Sequence, residues 1–197
     1  LDVGSTLDKN LLIFEAENTP DPHVWFNTDL WLLEAEAVAA KLSDADPENK
    51  EYYMSNLESY KKEINDLTGY IVRRINEIPE SKRVLITAHD AFGYFAKQFG
   101  LEVKSIQGIS TDSEAETKDI SELADFIVKR EIKAVFIESS VPRKTIESLQ
   151  EAVKARGWEV KIGGELYSDS LGDKEHDTDT YIKTVKKNED VITEALK

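Results

Sequence analysis

Imidazole and carboxylate side chains at the ends of loops have the most chemistry to offer in this sequence. One histidine stands in Asp21-Pro22-His23-Val24-Trp25-Phe26, and a second in Thr87-Ala88-His89-Asp90-Ala91-Phe92-Gly93-Tyr94-Phe95. Each follows an extended or turn-forming segment and precedes a helix-forming run. A carboxylate, Asp169, stands in Glu165-Leu166-Tyr167-Ser168-Asp169-Ser170, where a strand-like segment ends. Two imidazole nitrogens and one carboxylate oxygen suit borderline divalent metals such as zinc or manganese. Singly, each residue has a plain structural reading as a helix cap, a core histidine or a turn aspartate. Metal capture is suggested because all three end loops on one expected rim. Glu138 closes an apolar strand-like run and fits two roles equally, orienting a ligand histidine or forming a salt bridge at the rim. His176, within Asp173-Lys174-Glu175-His176-Asp177, lies in a polar loop and is read as solvated.

Particular elements must hold these loops. Residues 1–22 read as irregular, with a short strand candidate at 11–14. Pro20 and Pro22 keep the segment before His23 extended. Asn27 is an N-cap for a helix to about residue 42. Its Leu30-Trp31-Leu32-Leu33 run is apolar on several faces and expects partners on more than one side. Asp46-Pro47-Glu48 opens the next helix, with proline at the first position. Tyr53, Leu57, Tyr60, Ile64, Leu67, Ile71, Ile75 and Ile78 then succeed one another at spacings of three and four. That stripe predicts one nearly continuous rod over about 47–78, roughly 45 Å long. The rod is expected to pack through Leu57, Ile64, Ile71 and Ile75 onto a four-stranded lobe. Beyond Pro79 strands are expected at 84–87, 103–106, 134–137 and 160–162. Helices are expected at about 91–98, 117–130, 143–155 and 178–196. The fold class is therefore α/β: a long connecting helix, then a lobe with a four-stranded parallel sheet and helices on both faces. Ligands of such sheets sit at the carboxyl ends of the strands. His89 falls just past the first strand and Asp169 beyond the fourth.

The bulk composition narrows the function classes. The chain has 197 residues, enough for one large or two small domains with a real core. Asp and Glu number 39 against 25 Lys and Arg, a net charge of -14, which repels phosphate backbones and argues against nucleic acid. There is no cysteine, so disulfides, thiolate zinc sites and cysteine nucleophiles are excluded. No apolar run approaches the roughly 20 residues of a membrane span. No signal peptide is visible, and the chain starts at Leu1, which raises the expectation of a removed upstream segment. Gly163-Gly164 lacks the following lysine of a phosphate loop. Ser139-Ser140 and Ser168-Asp169 lack a nucleophile elbow, and there is no HExxH. Two histidines and a carboxylate could support metal-assisted hydrolysis, but Glu138 is the only candidate base and no nucleophile is activated. The expectation is a binding protein and not an enzyme.

Four phrases carry a resemblance. Residues 21–26 (DPHVWF), 87–95 (TAHDAFGYF), 136–147 (FIESSVPRKTIE) and 163–172 (GGELYSDSLG) closely resemble the solute-binding receptors of zinc and manganese ABC importers, the TroA-like family. The similarity runs from Asp21 to the carboxyl terminus. It implies two lobes, each built on a parallel sheet, joined by one long helix, with the metal in the cleft between. It implies His23 and His89 as imidazole ligands and Asp169 as the carboxylate ligand. The implied cargo is zinc or manganese, the partner an ABC importer membrane permease, and the location periplasmic or membrane-anchored and extracellular, with any signal or anchor segment outside this chain. The family's other histidine phrase, of the DPHxY type, has no counterpart. Residues 1–46 are expected to be a remnant of the first lobe, 47–79 the connecting helix and 80–197 the second lobe. That makes the chain a fragment or a shortened relative, with the fourth metal position left to water, a second chain or the absent lobe. The alternative is a truncated scaffold with weak or no metal binding. In that form the uncovered apolar helix would draw two copies into a homodimer.

Overall fold

The computed structural model describes residues 1–16, 19–110 and 117–197, with Thr117 described through its backbone alone. The amino-terminal strand lies later than expected. Lys9–Leu11 is a 3-10 turn capped by Asp8, and the short antiparallel pair β1 (Phe14–Ala16) and β2 (Thr19–Pro20) comes after it. Asp8 accepts from the Asn10 amide at 2.9 Å, which commits this stretch to a turn.

Asn27 caps α1 (Thr28–Ala45), its Oδ1 accepting from the amides of Asp29 and Leu30 at 2.9 and 3.1 Å. Asp46 links this helix to the next, accepting from Asn49 Nδ2 and Tyr53 Oη, both at 2.8 Å. A 3-10 turn at Pro47–Asn49 leads into α2 (Lys50–Ile75), 26 unbroken residues, about 39 Å of helix. The helix unwinds before Pro79, which has no amide to donate. Gly69 is not a close-packing device, because a Cβ there would meet only the Arg73 guanidinium at 3.5 Å.

The alternation continues as expected through β3 (Val84–Thr87), α3 (Gly93–Phe99), β4 (Glu102–Ser105), α4 (Thr117–Arg130), β5 (Ala134–Glu138), α5 (Lys144–Lys154), β6 (Lys161–Leu166) and α6 (Tyr181–Leu196). The four strands form two parallel hydrogen-bonded pairs, β3 with β4 and β5 with β6, and β3 lies beside β5. Alternate strand residues face opposite sides. Leu85 and Phe136 join a core with Ile71, Ile75, Tyr94, Phe95, Val185 and Ile192, from α2, α3 and α6. Val84, Ile86, Val135 and Ile137 join a second core with Leu123, Ile127, Ile146 and Leu149, from α4 and α5. Helices therefore cover both faces.

Strand β6 is longer than the three residues anticipated, because its two glycines are sheet positions. A Cβ on Gly163 would come within 2.7 Å of Ala195 and 2.9 Å of Phe136. One on Gly164, at φ +154, would come within 2.5 Å of Val191. Only glycine lets α6 lie this close to the strand.

The long helix packs in two regimes, which corrects the expectation that its whole stripe meets the sheet lobe. Its first half, with Leu57 and Ile64, runs along α1, and its second half, with Leu67, Ile71 and Ile75, enters the core beneath the strands. The apolar α1 is the nearer surface for the first half. That helix also finds intrachain partners. Leu30 is buried, and Trp31 stacks on Tyr181 with centroids 4.4 Å apart and planes 10° from parallel. The Trp31 indole donates to Tyr60 Oη at 2.8 Å. The face expected to bind a second copy is thus largely occupied by α2 and α6, with Leu33, Val38 and Leu42 left exposed. Among the described residues no helix is long and apolar enough to cross a membrane.

Candidate metal centre

His23 precedes a 3-10 turn at Val24–Phe26 and is 2 % exposed. Asp21 builds its position from two residues upstream. Asp21 Oδ1 accepts from the His23 amide at 2.9 Å and lies 2.6 Å from His23 Nδ1. The main chain and the ring are thus gripped by one carboxylate oxygen. Tyr94 Oη fixes Asp21 in turn, donating to its carbonyl at 3.1 Å. Sequence reasoning missed Asp21. Its signal was the spacing Asp-Pro-His, in which proline forces the bend that returns the carboxylate to the histidine.

His89 lies just past the end of β3 and is fully buried. Glu138, at the end of β5, plays the same part for it. Glu138 Oε1 accepts from the amides of Ala88 and His89 at 2.8 and 2.9 Å. Its Oε2 lies 2.7 Å from His89 Nδ1, close enough for charge attraction but not aligned as a hydrogen bond. Through these bonds the carboxylate ties the end of β5 to the chain just past β3.

Both histidines therefore have Nδ1 occupied by a carboxylate and Nε2 left over. The two Nε2 atoms converge on Asp169, with His23 Nε2 3.3 Å from Oδ1 and His89 Nε2 3.4 Å from Oδ2. The rings meet edge to face with centroids 5.4 Å apart. One donor atom from each of His23, His89 and Asp169 lies within 4.8 Å of the others. Donors around a tetrahedral ion at about 2.1 Å would stand about 3.4 Å apart, so the carboxylate–imidazole spacings already match. His89 Nε2 is buried without a hydrogen-bond partner, which is costly unless something binds it. The structure brings these three expected residues together and leaves His176 apart, exposed in its own turn with Asp173.

The protonation states fit a cation site. Burial pulls the His23 pKa down, but hydrogen bonds to Asp169 and Asp21 outweigh it and raise it to about 8. Burial opposes His89 likewise, and Asp169 and Glu138 carry it up to about 9. The two histidines hold Asp169 well below the usual carboxylate range, against its own burial, with further help from the Ser140 hydroxyl. Positive charge is thus favoured at the meeting point of the three side chains. Protons can supply that charge, and so can one divalent ion.

Comparisons with known proteins identify the family of this chain. Residues 3–195 match the ZnuA family, described as zinc-uptake complex component A, periplasmic. Over 190 residues the chain is 44 % identical to the zinc-binding protein TroA of Treponema pallidum, covering 96 % of this chain and 61 % of that protein. Over 196 residues it is 42 % identical to the manganese-binding lipoprotein MntA of Bacillus subtilis, covering 99 % and 64 %. It superposes on the structure of the periplasmic zinc-binding protein TroA from Treponema pallidum with a TM-score of 0.96 and 42 % identity, over 100 % of this chain and 71 % of that one. The chain thus spans about three fifths of these curated relatives' length. With the match running almost end to end, this chain belongs to the ZnuA family.

Proposed function

We propose that this chain is the metal-holding portion of a receptor that captures zinc or manganese outside the cytoplasm and delivers it to the membrane permease of an ABC importer. The observation that carries the reading is that one donor atom from each of His23, His89 and Asp169 lies within 4.8 Å of the others, with both Nε2 atoms facing Asp169 and each histidine backed by a carboxylate. Carboxylate-backed imidazoles are the usual way a protein fixes tautomer and aim at a metal. Under this reading His23, His89 and Asp169 hold the ion, and Asp21 and Glu138 hold the histidines. Residues 1–46 bring first-lobe material, 47–79 the connecting helix and 80–197 the second lobe. The extracytoplasmic location rests on the relatives, which are described as periplasmic or as lipoproteins.

The same carboxylates argue for binding over catalysis. Asp21 and Glu138 are committed to imidazoles and main-chain amides, so neither is placed to activate water as a general base. Isothermal titration of the chain with zinc and with manganese tests the reading. We expect one saturable site, and a loss of at least a hundredfold in affinity on His89→Ala with the fold retained by circular dichroism. Unchanged affinity in both His23→Ala and His89→Ala would place the metal elsewhere and refute the assignment.

A further inference from the structure

Asp169 is the one ligand candidate not held by a helix, a strand or a neighbouring carboxylate. It lies past the end of β6, and its side chain is 35 % exposed, against 3 % or less for the two histidines. Something else must keep its oxygens 3.3 and 3.4 Å from both imidazoles. The preceding residue, Ser168, is 3 % exposed and receives two ties. The Trp25 indole N–H donates to the Ser168 carbonyl at 3.1 Å. Ser140 Oγ and Ser168 Oγ share a hydrogen bond of 2.7 Å, and the Ser140 hydroxyl also bears on the Asp169 carboxylate itself.

The origins of these ties are informative. Trp25 lies two residues after His23, and its ring meets the His23 ring at 5.2 Å and 70°. Tyr181 Oη steadies it by donating to the Trp25 carbonyl at 2.7 Å. Ser140 lies two residues after Glu138, the carboxylate that holds His89. One tie therefore comes from each histidine's own support. The ties to α6, between Tyr167 and Asn188 at 2.9 and 2.7 Å, come from neither.

We propose that Trp25 and Ser140 are positioning residues that hold the Asp169 carboxylate against the two imidazoles through a shared anchor, Ser168. The carboxylate is then tied to the same two segments that carry the support of the histidines. A cavity of about 330 Å³ beside this anchor, lined by Trp25, Tyr167, Asp169 and Tyr181, gives the loop room to drift once a tie is cut. The consequence for metal retention rests on the receptor reading above, whereas the anchor itself does not.

Trp25→Phe keeps the ring and removes the N–H, and Ser140→Ala removes the hydroxyl. Hydrogen exchange on the metal-free protein should show faster exchange in the peptide spanning 166–172 for each variant, with α2 and β5 unchanged. Titration with zinc should show each variant about tenfold weaker, with faster release. That loss should vanish in an Asp169→Ala background, which a general packing defect would not do. Unchanged exchange at 166–172 in both variants overturns the anchor. An equal affinity loss with and without Asp169 overturns its action through that residue. If the parent takes up no metal, the receptor reading fails, and the exchange result still decides the anchor.

Discussion

At the scale of single residues, the proposed site sets protons and a divalent ion in competition for the same two nitrogens. In the folded, metal-free protein the histidines are raised from 6.5 to about 8 and about 9. Neutral pH lies below both values, so the metal-free site favours protonated rings there. A metal binds only neutral imidazole, so uptake must expel the protons. Apparent affinity should rise with pH, by up to about a hundredfold per unit where both rings are protonated, and level off above about pH 9. Calorimetry in buffers of differing ionisation enthalpy counts the protons, and about two released per ion near pH 7 is expected. An affinity flat between about pH 6 and 9 would show that the histidines are not the competing groups. Asp21 and Glu138 set which nitrogen each ring offers. A carboxylate at Nδ1 leaves Nε2 as the only free nitrogen.

At the scale of elements, α6 carries a group at odds with its surroundings. Glu189 is fully buried, with one oxygen accepting from Thr193 Oγ1 at 2.5 Å and the other unpartnered. Burial pushes its pKa up to about 7, against the Thr193 hydroxyl and the Arg74 guanidinium. Arg74, on α2, is shared with Glu77, Asp190 and Glu194, so it offsets only part of that cost. The folded state prefers the protonated acid, whereas the unfolded chain ionises near 4.5. This contribution to stability is thus full below about pH 4.5 and is lost as pH rises through about 7. Glu189→Gln should stabilise the protein by about 1–3 kcal/mol at pH 8 and by little near pH 4.5. Urea denaturation at both pH values measures this, and an equal shift at both would indicate packing and not ionisation. The start of α1 and the break between α1 and α2 were readable because Asn27, Asp46 and Pro47 act locally, whereas α1 runs on to Ala45 and α2 covers only Lys50–Ile75 of the expected 47–78. The extent of β6 was not readable, since Gly163 and Gly164 are explained by Ala195, Phe136 and Val191, which pack there only in the fold.

At the scale of the whole molecule, the three ligand candidates come from three segments: before α1, after β3, and between β6 and α6. An ion held by all three favours the folded chain over the unfolded one. At a hundredfold excess over Kd that linkage is worth about 2.7 kcal/mol. For a chain of this size it should raise Tm by about 5–10 °C. Differential scanning calorimetry with zinc, then with excess chelator, tests this. The shift should appear with metal, disappear with chelator and be absent in His89→Ala. A shift of equal size in that variant would assign the stabilisation to the acidic surface, whose net charge of -14 attracts cations without a site.

By itself the sequence determined what local chemistry can determine: the caps, the stripe of the long helix, the alternation after Pro79, and the residue types of the candidate centre. Those arise from hydrogen bonds and periodicities that span a few residues. It also marked His23, His89 and Asp169, because each ends a loop in a phrase resembling known receptors. Only the tertiary structure decided the rest. Asp21 and Glu138 proved to be partners of the two histidines, with oxygens 2.6 and 2.7 Å from their Nδ1 atoms. Trp31 found Tyr181, some 150 positions away, where an exposed face had been expected. The long helix divided its stripe between α1 and the core. Each of these depends on contacts between residues far apart in the chain, and such contacts exist only once the chain has folded.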